Sequence, residues 1–122
     1  MTADLAIRNA SLAHLGGKTG DVSILNGKIL SAGPRFKGSA KKEIDATGLT
    51  LAPGFIDAHA HLNEPGRTNW EGLSTGTKAF AAAGVTTFFD MPLNSSPPVL
   101  DARAFARKRA AALKKSWIDF GL

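Results

Sequence analysis

Cysteine and tyrosine are both missing from these 122 residues. Without cysteine there is neither a disulfide framework nor a thiolate metal site, so any metal must be held by nitrogen and oxygen, and the chain suits a reducing compartment. No apolar run approaches the ~20 residues that a bilayer-spanning helix needs, and no basic segment followed by an apolar one opens the chain. A soluble, cytoplasmic protein with no membrane partner is therefore expected. Repeats of solenoid period and low-complexity tracts are absent too. What is left, 43% hydrophobic, is ordinary for a globular chain the size of one domain.

Acidic residues are the scarcer charge, 10 against 15 lysines and arginines, for a net +5. The excess is local. Between Asp101 and Lys115 lie Arg103, Arg107, Lys108, Arg109, Lys114 and Lys115 with Asp101 as the single acid, so the rest of the chain is neutral. Ala102, Phe105, Ala106, Ala110 and Leu113 recur there at helical spacing, which predicts an amphipathic helix with the cations on its solvent side. A basic patch without a recognition fold is a weak nucleic-acid signal, and no nucleic-acid partner is expected.

Asp4 to Ala10 and Asp21 to Ala32 read as strands. Within the second, Val22 to Leu25 and Lys28 to Ser31 flank Asn26-Gly27, a pair that tolerates the positive φ angles of a type I′ hairpin turn. Lys37 to Lys42 reads as a polar loop, and Glu43 to Gly48 as a turn before a short strand at Leu49 to Leu51. Residues 1–52 are thus expected to form a small antiparallel β unit.

From Pro53 the pattern changes to strand and helix in alternation, the signature of βα units and a parallel sheet. Strands are predicted at Phe55 to His61, Val85 to Asp90 and Trp117 to Leu122. The capping-box spacing of Thr68-Asn69-Trp70-Glu71 predicts a helix starting there and stopping at Gly84. Gly72 and Gly76 would weaken it by up to ~1 kcal/mol each relative to alanine. Pro92 to Pro98 reads as a loop before the basic helix.

The chemistry is concentrated in Pro53-Gly54-Phe55-Ile56-Asp57-Ala58-His59-Ala60-His61. Period-two alternation puts Asp57, His59 and His61 on one face of a strand and Ile56, Ala58 and Ala60 on the other. Two imidazoles at i and i+2 can present nitrogens to one point, which suits a borderline metal such as zinc. A His-x-His pair can equally be an ordinary hydrogen-bonded pair. Its place where an apolar strand opens into Glu64-Pro65-Gly66 favours a site, since binding residues gather on loops above rigid scaffolds. His14 reads as a surface residue and Trp70 as a packing residue.

That motif resembles the first barrel strand of the metal-dependent amidohydrolases. The whole chain, through Asp45-Ala46-Thr47-Gly48 and Asp90-Met91-Pro92-Leu93-Asn94, is similar to their cyclic-amide branch of dihydroorotases, hydantoinases and allantoinases. The resemblance implies an α/β chain: the N-terminal part of a small β-sandwich domain at 1–52, then the first two βα units and third strand of a TIM barrel at 53–122. It also implies a binuclear divalent-metal site, with zinc the expected ion, in which His59 and His61 are ligands. A bridging lysine, two later histidines and a proton-shuttling aspartate would lie outside these residues. Asp57 would orient the ligands or make a structural hydrogen bond. Dihydroorotases carry a carboxylate-binding arginine at the position of Asn63, and the neutral residue here, with the loops at 62–72 and 91–98, is most like the allantoinase branch. The implied substrate is a small cyclic amide, allantoin or a relative opened to allantoate in purine catabolism, contacted by Asn63, Asn94 and Arg67. Glu64 and Arg67 could equally serve a loop cap or salt bridge. The full-length parent is expected to be a homo-oligomer, and the 122-residue piece inactive by itself; the alternatives are a dihydroorotase or hydantoinase, or a non-catalytic truncated homologue.

Overall fold

In the computed structural model, which describes residues 2–122, Asn26 and Gly27 both take positive φ, 53° and 72°. They close the expected hairpin between β2 (Lys18–Leu25) and β3 (Lys28–Gly33). β1 (Thr2–Leu12) pairs antiparallel with β2 and is joined to it by a 3-10 turn, Ala13–Leu15, that carries exposed His14. Asn9 sits at φ 60° where the β1–β2 register shifts between Ile7 and Ala10. A bulge of this kind bends its strand. β1 accordingly runs beside β4 (Ser39–Asp45) over its first half and β5 (Thr50–Leu51) at its end.

Two expectations are corrected here. Residues 37–42 are not simply a polar loop, because most of them belong to β4. Both faces of that strand are largely solvated, so no apolar alternation marks it, and charged side chains such as Lys41, 2.8 Å from Asp4, suit a sheet margin. The sheet is also mixed rather than wholly antiparallel: its order is β3-β2-β1-β4, and both β4 and β5 are parallel to β1. Ala10, Leu12, Val22 and Ala46 form its core.

The chain divides into two compact units, Met1–Pro53 and Gly54–Leu122. In the second, β6 (Phe55–Ala60), β7 (Val85–Asp90) and β8 (Asp119–Gly121) make a parallel sheet in the order β6-β7-β8. The crossovers contain α1 (Leu73–Ala82) and α2 (Ala102–Lys115). Phe88 is the centre of the core, with Phe80 and Phe120 rings 5.7 and 6.3 Å from its own and Leu62, Leu73 and Ala112 around it. Each large side chain buried this way contributes roughly 1.5–3 kcal/mol.

α1 begins at Leu73, not Thr68. Thr68 to Trp70 form a turn, Gly72 is the N-cap, and Thr75 Oγ1 accepts the Gly72 N–H at 3.3 Å. The capping spacing was present in the sequence, but the turn bonds Asn63 N–H to Glu71 carbonyl and Arg67 N–H to Asn63 carbonyl compete for that segment. Trp70 is exposed and carries the Arg67 guanidinium 5.0 Å above its ring, so it does not pack in a core. β6 stops at Ala60, one residue before His61, and Trp117 precedes β8 rather than starting it. Among the described residues no helix is long and apolar enough to cross a membrane.

The inward face of α2 departs most from the sequence reading. Ala104, Lys108 and Ala112 are buried, whereas Phe105 and Leu113 are exposed. Asp101 caps the helix by accepting from Ala104 N–H at 2.7 Å. Small alanines let the helix approach closely, and Lys108 enters because it finds partners there.

Candidate metal centre

β7 and β6 are out of step near their ends: Asp57 faces Phe88 and Ala60 faces Asp90, so β6 spends one extra residue. The His59 N–H is taken up by Asp57 Oδ1 at 3.0 Å. Asp57 therefore serves the strand backbone rather than an imidazole ring. Beyond the irregularity the strands lock again, with the Met91 N–H on the Ala60 carbonyl at 2.7 Å.

The two imidazoles converge. His59 Nε2 lies 3.2 Å from His61 Nε2, with the rings edge-on at 71°. His61 Nδ1 is 3.2 Å from the Met91 carbonyl oxygen, which can only accept, so Nδ1 carries the hydrogen and Nε2 keeps its lone pair. Two nitrogens bound to one zinc ion at near-tetrahedral angle lie about 3.3 Å apart, so the observed spacing fits a shared ion. Both rings are exposed, and among the described residues no third histidine, cysteine, aspartate or glutamate joins them.

The loops after β6 and β7 form the surroundings of the pair. Ser96 N–H donates to the Pro65 carbonyl at 2.8 Å, and Gly66, at φ 92°, lies so close to Ser96 that a Cβ would overlap its carbonyl oxygen. Asn63 is buried in the first loop, and its Oδ1 is without a hydrogen-bond partner. Asn94 is half-buried in the second. Glu64 is buried, accepts from Leu73 N–H at the start of α1 at 3.2 Å and pairs with Lys115, which is the helix-cap and salt-bridge role rather than a free carboxylate.

Two residues that the sequence reading left out hold this loop. Asp90, at the end of β7, accepts the Leu62 N–H at 2.6 Å, and its other oxygen lies 2.8 Å from the Lys108 ammonium, with both side chains wholly buried. Lys108 also donates to the carbonyls of Leu62 and Glu64, each at 2.7 Å. The available signal was a charge spaced four residues from alanines on both sides, on a stripe otherwise small enough to be buried.

A separate cleft of about 800 Å³ lies in the β unit, lined in part by Arg8, Asp21, Phe36 and Glu43. Arg8, Asp21 and Glu43 engage one another there: Arg8 donates to Asp21, Glu43 and the carbonyls of Phe36 and Gly38. Burial pushes the Asp21 carboxyl up, but donors from Phe36, Asn9 and Arg8 outweigh it and leave the group below its ordinary 3.8.

Comparison with known proteins gives the family of the chain. Residues 50–122 match the amidohydrolase family. Allantoinases of Solibacter usitatus, Deinococcus radiodurans and Rubrobacter xylanophilus are 51%, 48% and 47% identical over 98%, 100% and 98% of this chain. The chain spans only 26–28% of their length. The L-hydantoinase (dihydropyrimidinase) of Arthrobacter aurescens superposes with a TM-score of 0.84 at 27% identity, over 97% of this chain and 27% of that one. The two βα units are thus the opening part of an amidohydrolase TIM barrel, preceded by its small β unit. Since the match runs through both βα units, the histidine strand included, this chain belongs to the amidohydrolase family of metal-dependent enzymes.

Proposed function

We propose that His59 and His61 are two ligands of a binuclear zinc centre in a cyclic amidohydrolase that opens the hydantoin ring of allantoin to give allantoate. The observation that carries this reading is the pair of Nε2 atoms 3.2 Å apart, with His61 oriented by the Met91 carbonyl. A divalent ion bound there supplies hydroxide near neutral pH and polarises a ring amide carbonyl. The chain's own residues do the rest of what this piece contributes. Asp57 steadies the backbone on which His59 rides. Asn63 turns an unpaired acceptor toward a ring N–H of a neutral substrate, and Asn94 and Arg67 add donors from the facing loops. The unpaired Oδ1 supports the Asn63 assignment, because a buried acceptor without a partner costs ~1–3 kcal/mol unless something fills it. The substrate is a small molecule, and the parent works as a homo-oligomer.

The likeness to an L-hydantoinase favours one second reading, in which the ring is a different cyclic amide. A full-length parent carrying this chain, assayed with allantoin, dihydroorotate and an unsubstituted hydantoin before and after chelator treatment, separates the two. Chelator-sensitive turnover fastest on allantoin is expected. Faster turnover of either other ring overturns the substrate, and turnover indifferent to chelator overturns the metal.

A further inference from the structure

The buried pair Asp90 and Lys108 has no part in the proposed chemistry, yet every polar contact it makes ends on the segment that follows His61. Lys108 donates to the Leu62 and Glu64 carbonyls at 2.7 Å each, and its ammonium lies 2.8 Å from Asp90 Oδ2 as an ion pair. Asp90 Oδ1 takes the Leu62 N–H at 2.6 Å. Both polar groups of the Leu62 backbone are therefore held by side chains from β7 and α2. Leu62 is covalently next to His61 and Asn63, so this cluster sets where the His61 ring and the Asn63 amide can lie. Among the described residues no other side chain of α2 bonds the 61–63 backbone. Lys115 reaches only the Glu64 carboxylate, one residue further on.

We infer that Lys108, with Asp90, is a positioning residue for the metal centre, an internal clamp that registers His61 and Asn63 against α2. Resting on the metal reading above, it adds a function for a buried charge pair that a purely structural core would not need. An ammonium offers directional bonds to two carbonyls at once, which no apolar side chain of similar volume can do. The consequence is that metal affinity depends on a residue that does not touch the metal. Supporting groups around metal ligands of known sites typically alter affinity 10–100-fold.

The test uses the chain at low micromolar concentration and Zn2+ alone, by competition with a chromogenic chelator. Binding counts only if it is lost in the His59→Ala/His61→Ala variant. Lys108→Met should weaken the pair-dependent affinity at least tenfold. Phe120→Leu, which loosens the hydrophobic core but removes no polar contact to residues 61–64, should lower the melting temperature yet leave affinity within twofold. Equal affinity in folded Lys108→Met, or an equal loss in Phe120→Leu, overturns the inference and leaves the metal reading intact. No pair-dependent binding in the wild-type chain overturns both. Should Lys108→Met fail to fold, Lys108→Met/Asp90→Asn removes both charges and takes its place. Hydrogen exchange on the wild-type chain decides independently: residues 61–64 should exchange as slowly as β7, and rapid exchange there refutes the clamp.

Discussion

His61 donates from Nδ1 to the carbonyl of Met91, thirty residues away, and so presents Nε2 to His59 at 3.2 Å. A backbone acceptor just past the end of β7 thus orients a ring just past the end of β6. If both rings are ligands, His59→Ala or His61→Ala in the full-length parent should lower chelator-sensitive turnover by more than the ~10–100-fold that loss of a supporting partner costs. Steady-state kinetics with metal content measured on the same samples checks it. Unchanged turnover in either variant would remove that ligand.

The Asp90–Lys108 pair also makes a stability prediction. Removing the ammonium alone leaves a carboxylate and two carbonyls buried, and Lys108→Met should cost about 3–5 kcal/mol in urea denaturation. Neutralising Asp90 in the same molecule should recover part of that loss. A double variant no more stable than the single would contradict the pairing.

Gly66→Ala should destabilise the second unit by roughly 1–3 kcal/mol, because a Cβ at φ 92° is strained and would overlap the Ser96 carbonyl. Gly48→Ala, also at positive φ but in open space, should cost less. Thermal denaturation of the two variants gives the comparison, and equal costs would mean that the approach of the two loops does not matter.

Acid should loosen the β unit through Asp21 and Asp45. Burial raises Asp21, but donors from Phe36, Asn9 and Arg8 bring it below 3.8, while Thr47 and Asn9 hold Asp45 below 3.8 as well. Carboxyls with depressed folded-state values contribute stability that is present above 3.8 and lost as pH falls through the lower folded value. Acid unfolding followed by circular dichroism should therefore begin below pH 3.8. Asp21→Asn should flatten the dependence, and an unaltered acid limb would remove Asp21 from the account.

The isolated chain should not hydrolyse allantoin and should self-associate. Phe55, Ile56 and Trp117 are each about two-thirds exposed, and the β6–β8 sheet has unpaired edges. Sedimentation and an allantoin assay test this, and a monodisperse, active monomer would show the reasoning from exposed surface to be mistaken.

Local chemistry determined a good deal of this protein. Asn26-Gly27 made a hairpin because both residues tolerate positive φ, and Val85 to Asp90 made a strand because branched and aromatic residues fit a pleated surface. The His-x-His motif was legible for a similar reason: its spacing and its apolar strand need no distant partner to be recognised. Period and φ preference are properties of neighbours in the chain. Tertiary structure decided the rest. β4 is a strand only because β1 lies beside it, and Thr68 could not start α1 because turn bonds to Asn63 and Glu71 took its segment. Lys108 belongs to the most basic stretch of the chain, and its charge pointed to water. It is buried because Asp90 and the carbonyls of Leu62 and Glu64, 18 to 46 residues away in sequence, converge on one point, and only the folded backbone brings those acceptors together.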